Sequence, residues 1–243
     1  MQQIKRRICD ASGFSQCIGF VDGTLFPLSE KPQHDGEDYF SRKGCYGIAG
    51  LLVCDDNKRI RYTYTGWAGC AHDARVYANS ALALKSNQLF AGQEYLLADS
   101  AYTPDPTIIP AFKRLPHKGL TTDETLFNFY LSNVRVRVEH CIGILKARFQ
   151  SLRGLRLVIR TKNDVKRCVC WINACCVMHN LLLQDPINDE WLEGEELGGM
   201  IGDDEFDQAN LGGRGAKSSE DLGRDLRNRV MRVVLAKHST AQV

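Results

Sequence analysis

Two strand-like runs joined by a short polar turn restrict this chain more than any other feature. Gly44–Cys54 reads GCYGIAGLLVC and Arg59–Trp67 reads RIRYTYTGW, with Asp55, Asp56, Asn57 and Lys58 between them. Apolar runs bounded by Asp and Asn predict an antiparallel hairpin. A lone hairpin is marginal in water, so it must join a larger sheet. A third strand is predicted upstream, from Cys17 to Thr24, where Asp22-Gly23 reads as the turn that ends it. Glu94–Ala98 (EYLLA) reads as a short buried strand stopping at Asp99, and Pro104, Pro106 and Pro110 confine the next segment to loop and edge strand.

Helices are predicted between and after these strands. Ala74–Leu84 has helical composition, with Asp73 read as its N-cap. A long helix is predicted over Thr122–Phe149, where Leu131, Val134, Val138, Ile142, Leu145 and Phe149 recur at three- and four-residue spacing. A second, very apolar helix is predicted over Asp164–Leu183, and a last basic one over Asp221–Lys237. Early strands, one helix, another strand and then long helices suit a mixed α/β sheet flanked by helices.

Hydrophobic residues make up 44% of the 243 residues, which is enough for a core without disulfide staples. The basic start, Met1 to Arg7, has no apolar run behind it, so no secretory signal is read, and no stretch is apolar enough to span a membrane. The ten cysteines are therefore expected reduced. Cys168, Cys170, Cys175 and Cys176 with His179 are read as buried helix residues rather than a zinc site, because Cys168 and Cys170 point about 160° apart on a helix.

Charge is unevenly spread. Residues 1–184 balance at +8, residues 185–207 at −10, and residues 208–243 at +4. Arg135 to Arg167 alone holds ten Lys/Arg against two acids. Such segregation points to a polyanion-binding body with an acidic arm. The region divides as a short segment 1–12, a body 13–184, a flexible acidic Gly-rich segment 185–215 and a basic C-terminal helix or tail 216–243.

Three acids stand where phosphodiester chemistry would use them: Asp22 and Asp99 at strand ends and Glu139 inside the long helix. Carboxylates converging from separate elements can hold two hard cations that activate an attacking oxygen and neutralise a leaving one. On the helix, Arg135, Gly143 and Lys146 share the face of Glu139, so positive charge lies within reach of a phosphate; the other reading of Glu139 is an exposed residue in i,i+4 register with Arg135.

Six stretches occur in order: GFVDGT (19–24), YFSRKG (39–44), GWAGCAHDARV (66–76), LADSAY (97–102), RVEHCIGILKARF (137–149) and MHNL (178–181). Together they resemble the DDE endonuclease domain of PIF/Harbinger transposases and the nucleases derived from them, over about residues 13–183. The resemblance implies an RNase H-like fold, Mg²⁺ or Mn²⁺ as cofactor and nuclear action on DNA. It implies Asp22, Asp99 and Glu139 as catalytic metal ligands, with Asp73 as a further candidate ligand. Lys43, Arg135, Lys146, Arg153 and Arg156 are the expected DNA contacts. A Myb-like accessory protein and a homo-oligomer are partners to consider. Family members carry a DNA-binding region upstream, so residues 1–12 are read as an N-terminal remnant. Two functions follow: an active endonuclease or strand-transfer enzyme, or a domesticated protein that binds DNA or a partner without cutting.

Overall fold

The hairpin is the outer part of one five-stranded sheet in the computed structural model, which describes residues 1–114, 117–187 and 218–240. The elements run α1 (Gln2–Ser12), β1 (Cys17–Pro27), β2 (Gly47–Cys54), β3 (Ile60–Ala68), α2 (Asp73–Ala78), α3 (Ala81–Leu84), α4 (Ser86–Leu89), β4 (Tyr95–Ala98), β5 (Ile108–Pro110), α5 (Thr122–Arg148), α6 (Lys162–Leu181) and α7 (Ser219–Thr240). The sheet order is β3-β2-β1-β4-β5. Strands β1, β2 and β3 pair antiparallel, whereas β4 lies parallel to β1 and β5 parallel to β4. This mixed sheet with helices on its faces has the expected RNase H-like arrangement.

Local chemistry accounts for the elements. In the β2–β3 turn the Asp55 carboxylate accepts from the backbone N–H groups of Asn57 (3.0 Å) and Arg59 (3.1 Å), and Lys58 takes the left-handed conformation at φ 62°. Helix α5 opens on a capping box: Thr121 Oγ1 accepts from Glu124 N, and Glu124 Oε2 accepts from Thr121 N. Its Leu131, Val134, Val138, Ile142 and Leu145 are buried as the periodicity predicts, joined by Phe127 and Cys141. Each such aliphatic or aromatic side chain contributes about 1.5–3 kcal/mol on burial.

Alternation along the strands sorts two cores. Phe20, Phe26, Ile48, Leu52 and Leu97 face the side holding α5, α6 and α7, and Val21, Leu51, Val53, Leu96 and Ala98 face α2 and α3. Helix α6 holds the edge strand β3 through side-chain amides. Asn180 donates to Ile60 O and accepts from Ile60 N, both at 2.8 Å, and Asn173 accepts from Thr63 Oγ1 at 2.9 Å. A side chain thus supplies the pairing that a further strand would have made.

Three readings need correction. Asp22-Gly23 is no turn: β1 runs on to Pro27 and pairs with β2 in continuous register from Phe20 to Pro27. The helix expected over Ala74–Leu84 breaks at Asn79 and Ser80 into α2 and α3. His72, not Asp73, is the N-cap of α2. Of the grouped cysteines, Cys168, Cys175 and Cys176 are buried but Cys170 is exposed, as the 160° offset requires.

The terminal helices are packed onto the body. Ile4 and Ile8 of α1 and Leu226, Val230 and Val234 of α7 join the α5-side core. Lys237 Nζ donates to the α1 carbonyls of Cys9 (2.7 Å) and Asp10 (2.8 Å), and the His238 ring stacks on Tyr130 at 3.9 Å. From residue 188 to 217, the acidic segment lies outside the described residues. No described helix is long and apolar enough to cross a membrane.

Candidate active site

Two strands and one helix bring the three acids to one side of the sheet. On parallel strands β1 and β4, Phe20 stands opposite Leu97; two residues further on lie Asp22, still within β1, and Asp99, just past the end of β4. Strand alternation gives Asp22 the face of Phe20, which is the face covered by α5. From α5, Arg135 reaches down to Asp22, with Nη2 at 3.4 Å from Oδ2, and its Nη1 lies 3.8 Å from Glu139 Oε1. One guanidinium therefore spans the strand acid and the helix acid. Asp99 is oriented locally: its Oδ1 accepts from Ala101 N at 2.9 Å.

Asp73 arrives from the other face. A Cβ placed on Gly23 would fall 2.0 Å from Asp73 Oδ1. The glycine is thus required by the carboxylate of Asp73, which lies directly against the β1 backbone beside Asp22. This contact explains why an Asp-Gly pair sits inside a strand, where glycine otherwise weakens it.

Burial pushes the Asp22 carboxyl up to about 7, against the opposing pull of Arg135 and with further increments from Asp99, Asp73 and Glu139. Asp22 thus feels the charge of the other three acids. The Tyr102 hydroxyl is buried, makes no hydrogen bond, and is raised well above its ordinary range by burial and then by Asp73, Asp22 and Asp99.

The donor set consists of carboxylate oxygens, the hard ligands that Mg²⁺ and Mn²⁺ prefer. A Cβ on Gly143, one turn from Glu139, would meet no atom within 4 Å, so open space lies over that turn. Arg135 already brings one positive charge between Asp22 and Glu139. In chemistry and charge these residues fit a divalent cation. Among the described residues, however, no three His, Cys, Asp or Glu side chains are gathered closely enough to hold one.

The expected DNA contacts other than Arg135 differ in exposure. Lys43 is exposed in the loop before β2, beside Arg42, whose Nη2 meets the His72 ring at 2.6 and 2.9 Å. Lys146 is half-buried on the Glu139 face of α5, Arg153 is half-buried just past its C-terminus, and Arg156 is exposed. His179 is a core residue, its Nε2 donating to Lys58 O at 3.0 Å with Cys141 Sγ 3.7 Å away.

A family model of DDE superfamily endonucleases matches residues 21–180. The chain belongs to that family. As a DDE superfamily endonuclease domain, it is 27% identical over 194 residues to the protein named "Putative nuclease HARBI1" from Bos taurus and 26% identical to the protein of that name from Homo sapiens. Both matches cover 79% of this chain and 52% of the relative. "Protein ALP1-like" from Arabidopsis thaliana is 23% identical over 263 residues, covering 99% of this chain and 59% of that protein. The chain spans about half the length of the curated relatives it matches. No solved structure matches it.

Two features of this endonuclease domain escaped sequence reasoning. Arg135 is visible from helical spacing as a neighbour of Glu139, but its contact with Asp22 crosses 113 residues and leaves no local signal. Tyr102 reads as an ordinary loop aromatic. It closes the stretch LADSAY three residues after Asp99, but the burial of its hydroxyl has no signature there.

Proposed function

We propose that this chain is a metal-dependent DNA endonuclease or strand-transfer enzyme in which Asp22, Asp99 and Glu139 hold the divalent ions, with Asp73 as a fourth contributor. The observation that carries this reading is the shared Arg135 contact, which ties the β1 acid to the α5 acid, together with the register that sets Asp99 beside Asp22. Bound Mg²⁺ or Mn²⁺ supplies the Lewis acidity that activates the attacking oxygen and neutralises the leaving one.

The chain's own groups do the rest. The α5 face would present Arg135 and Lys146 to a phosphate, and Lys43, Arg153 and Arg156 would supply further backbone contacts. Partial burial keeps the carboxylates from being fully hydrated, so their charge acts on whatever enters rather than being screened. On this reading the place of action is the nucleus. A Myb-like accessory protein and a second copy of the chain are the partners to test.

A silent DNA-binding module is the second reading. It draws on Arg135, which would neutralise the acids permanently if it never left them. The two readings separate in one experiment: nicking of supercoiled plasmid under Mg²⁺ and Mn²⁺, run beside a salt-titrated binding assay. Under the nuclease reading, Glu139→Gln binds DNA at least as tightly as wild type and does not nick. Arg153→Glu with Arg156→Glu weakens binding and flattens its salt dependence. Wild type that binds but never nicks, with accessory protein present, would replace the enzyme with the binding module.

A further inference from the structure

We propose that Arg135 is a resident counterion which a divalent cation must displace, so that holding the empty acids and gripping a phosphate are two positions of one guanidinium. The inference rests on the reading of Asp22 and Glu139 as metal ligands and adds what happens before metal arrives.

The geometry distinguishes a placeholder from a structural ion pair. The Arg135 side chain is only 11% exposed, yet its two charge contacts measure 3.4 and 3.8 Å. Charge-assisted hydrogen bonds close to about 2.7–2.9 Å, and a structural Arg–carboxylate pair makes two parallel ones to a single carboxylate. Arg135 instead splits its fork between two carboxylates. Its Nε is buried without a hydrogen-bond partner. A guanidinium with five donors is thus held by charge more than by fit.

Arg135, Glu139, Gly143 and Lys146 lie on one face of α5, and open space lies over Gly143. Asp22 and Glu139 are the residues that would hold a divalent ion, and the like charge of Arg135 would be excluded from them. Once displaced, the guanidinium remains on the face where a phosphate would lie. Metal loading and phosphate binding are then linked through one side chain, and linkage makes the effect reciprocal.

The test uses the whole chain. Mn²⁺ binding without DNA is measured calorimetrically for wild type, Arg135→Gln, Arg135→Lys and Asp99→Asn, with circular dichroism to check folding. Arg135→Gln should bind Mn²⁺ about tenfold more tightly, within the range of couplings between sites. Arg135→Lys, which keeps the charge, should stay near wild type. Binding of a short duplex with and without Ca²⁺ gives the second readout: the cation should tighten duplex binding in wild type, and that gain should vanish in Arg135→Gln. For a Gln variant that fails to fold, the wild-type side-chain ¹⁵N signal of Arg135, assigned by its loss in Arg135→Lys, must shift on adding Mg²⁺. A folded Arg135→Gln with unchanged or weaker Mn²⁺ affinity, or an arginine signal indifferent to Mg²⁺, overturns the proposal. If Asp99→Asn binds Mn²⁺ like wild type, the site reading itself fails.

Discussion

Replacing Asp22 by Asn should make the metal-free protein more stable at neutral pH, and by an amount that follows from burial. The Asp22 carboxyl is raised from 3.8 to about 7, with desolvation the largest cause. Between those values the folded state keeps a proton that the unfolded chain has released. Stability therefore falls as pH rises through the window, and the loss is complete above the folded value. Roughly three units at 1.36 kcal/mol each give about 4 kcal/mol. The side chain retains 17% of its exposure, and local relaxation lets in water, so about half of that, near 2 kcal/mol, is the expected effect. Urea unfolding in EDTA, at pH 4 and pH 8, measures it. The difference between Asp22→Asn and wild type should open by about 2 kcal/mol in favour of the variant on going from pH 4 to pH 8. Adding Mg²⁺ at pH 8 should stabilise wild type and close the gap. A gap of equal size at both pH values would refute the reasoning, since a packing effect has no reason to titrate. A variant that loses stability relative to wild type as pH rises would refute it more directly, because attraction to Arg135 would then outweigh desolvation.

Three further outcomes follow from contacts described above. Asn180→Ala removes both hydrogen bonds to Ile60 and should cost about 2–3 kcal/mol in urea unfolding, with β3 amides exchanging fastest; a cost below about 0.5 kcal/mol would show that water replaces the amide. Gly23→Ala would put a methyl 2.0 Å from the Asp73 carboxylate, so Asp73 must leave; the expected result is a folded protein whose thermal shift with Mn²⁺ is lost, and an undiminished shift would remove Asp73 from the site. Val234→Ala, at a fully buried position of α7, should cost about 1–3 kcal/mol, and a negligible cost would mean that α7 is not part of the cooperative unit.

The hairpin, the long helix and the mixed sheet were legible because each rests on local periodicity or turn chemistry. Leu131, Val134, Val138, Ile142 and Leu145 announce α5 without reference to any other segment. Asp22-Gly23 was misread for the opposite reason. Locally it is a turn signal, and the use of its missing Cβ appears only when Asp73, fifty residues away in the chain, is folded against it. Asp73 itself resembled an N-cap because it precedes a helix by pattern, whereas its carboxylate turns toward β1 instead. The positions of Asp22, Asp99 and Glu139 on one side of the sheet depend on the β1–β4 register and on where α5 crosses, and neither has a signature in sequence spacing. The hydroxyl of Tyr102 and the contact of Arg135 with Asp22 belong to the same class of long-range facts.

The uninterrupted pairing of β1 with β2 has a bearing on how this protein can change over evolutionary time. Irregularities occur in the neighbouring ladders, between Cys17 and Gly19 toward β4 and at two places between β2 and β3, but none interrupts the eight pairs from Phe20 to Pro27. A single residue deleted between Phe20 and Asp22 would exchange the faces of residues 22 and 23, turning a carboxylate toward Asp73 and a glycine toward Arg135. Length variation is therefore lethal to the site within Phe20–Pro27 and tolerated at the bulged pairings beside it. Lineages descended from such a chain should show gaps in the turns and at the bulged pairings, and a fixed count of residues between Phe20 and Pro27 for as long as the acids are under selection.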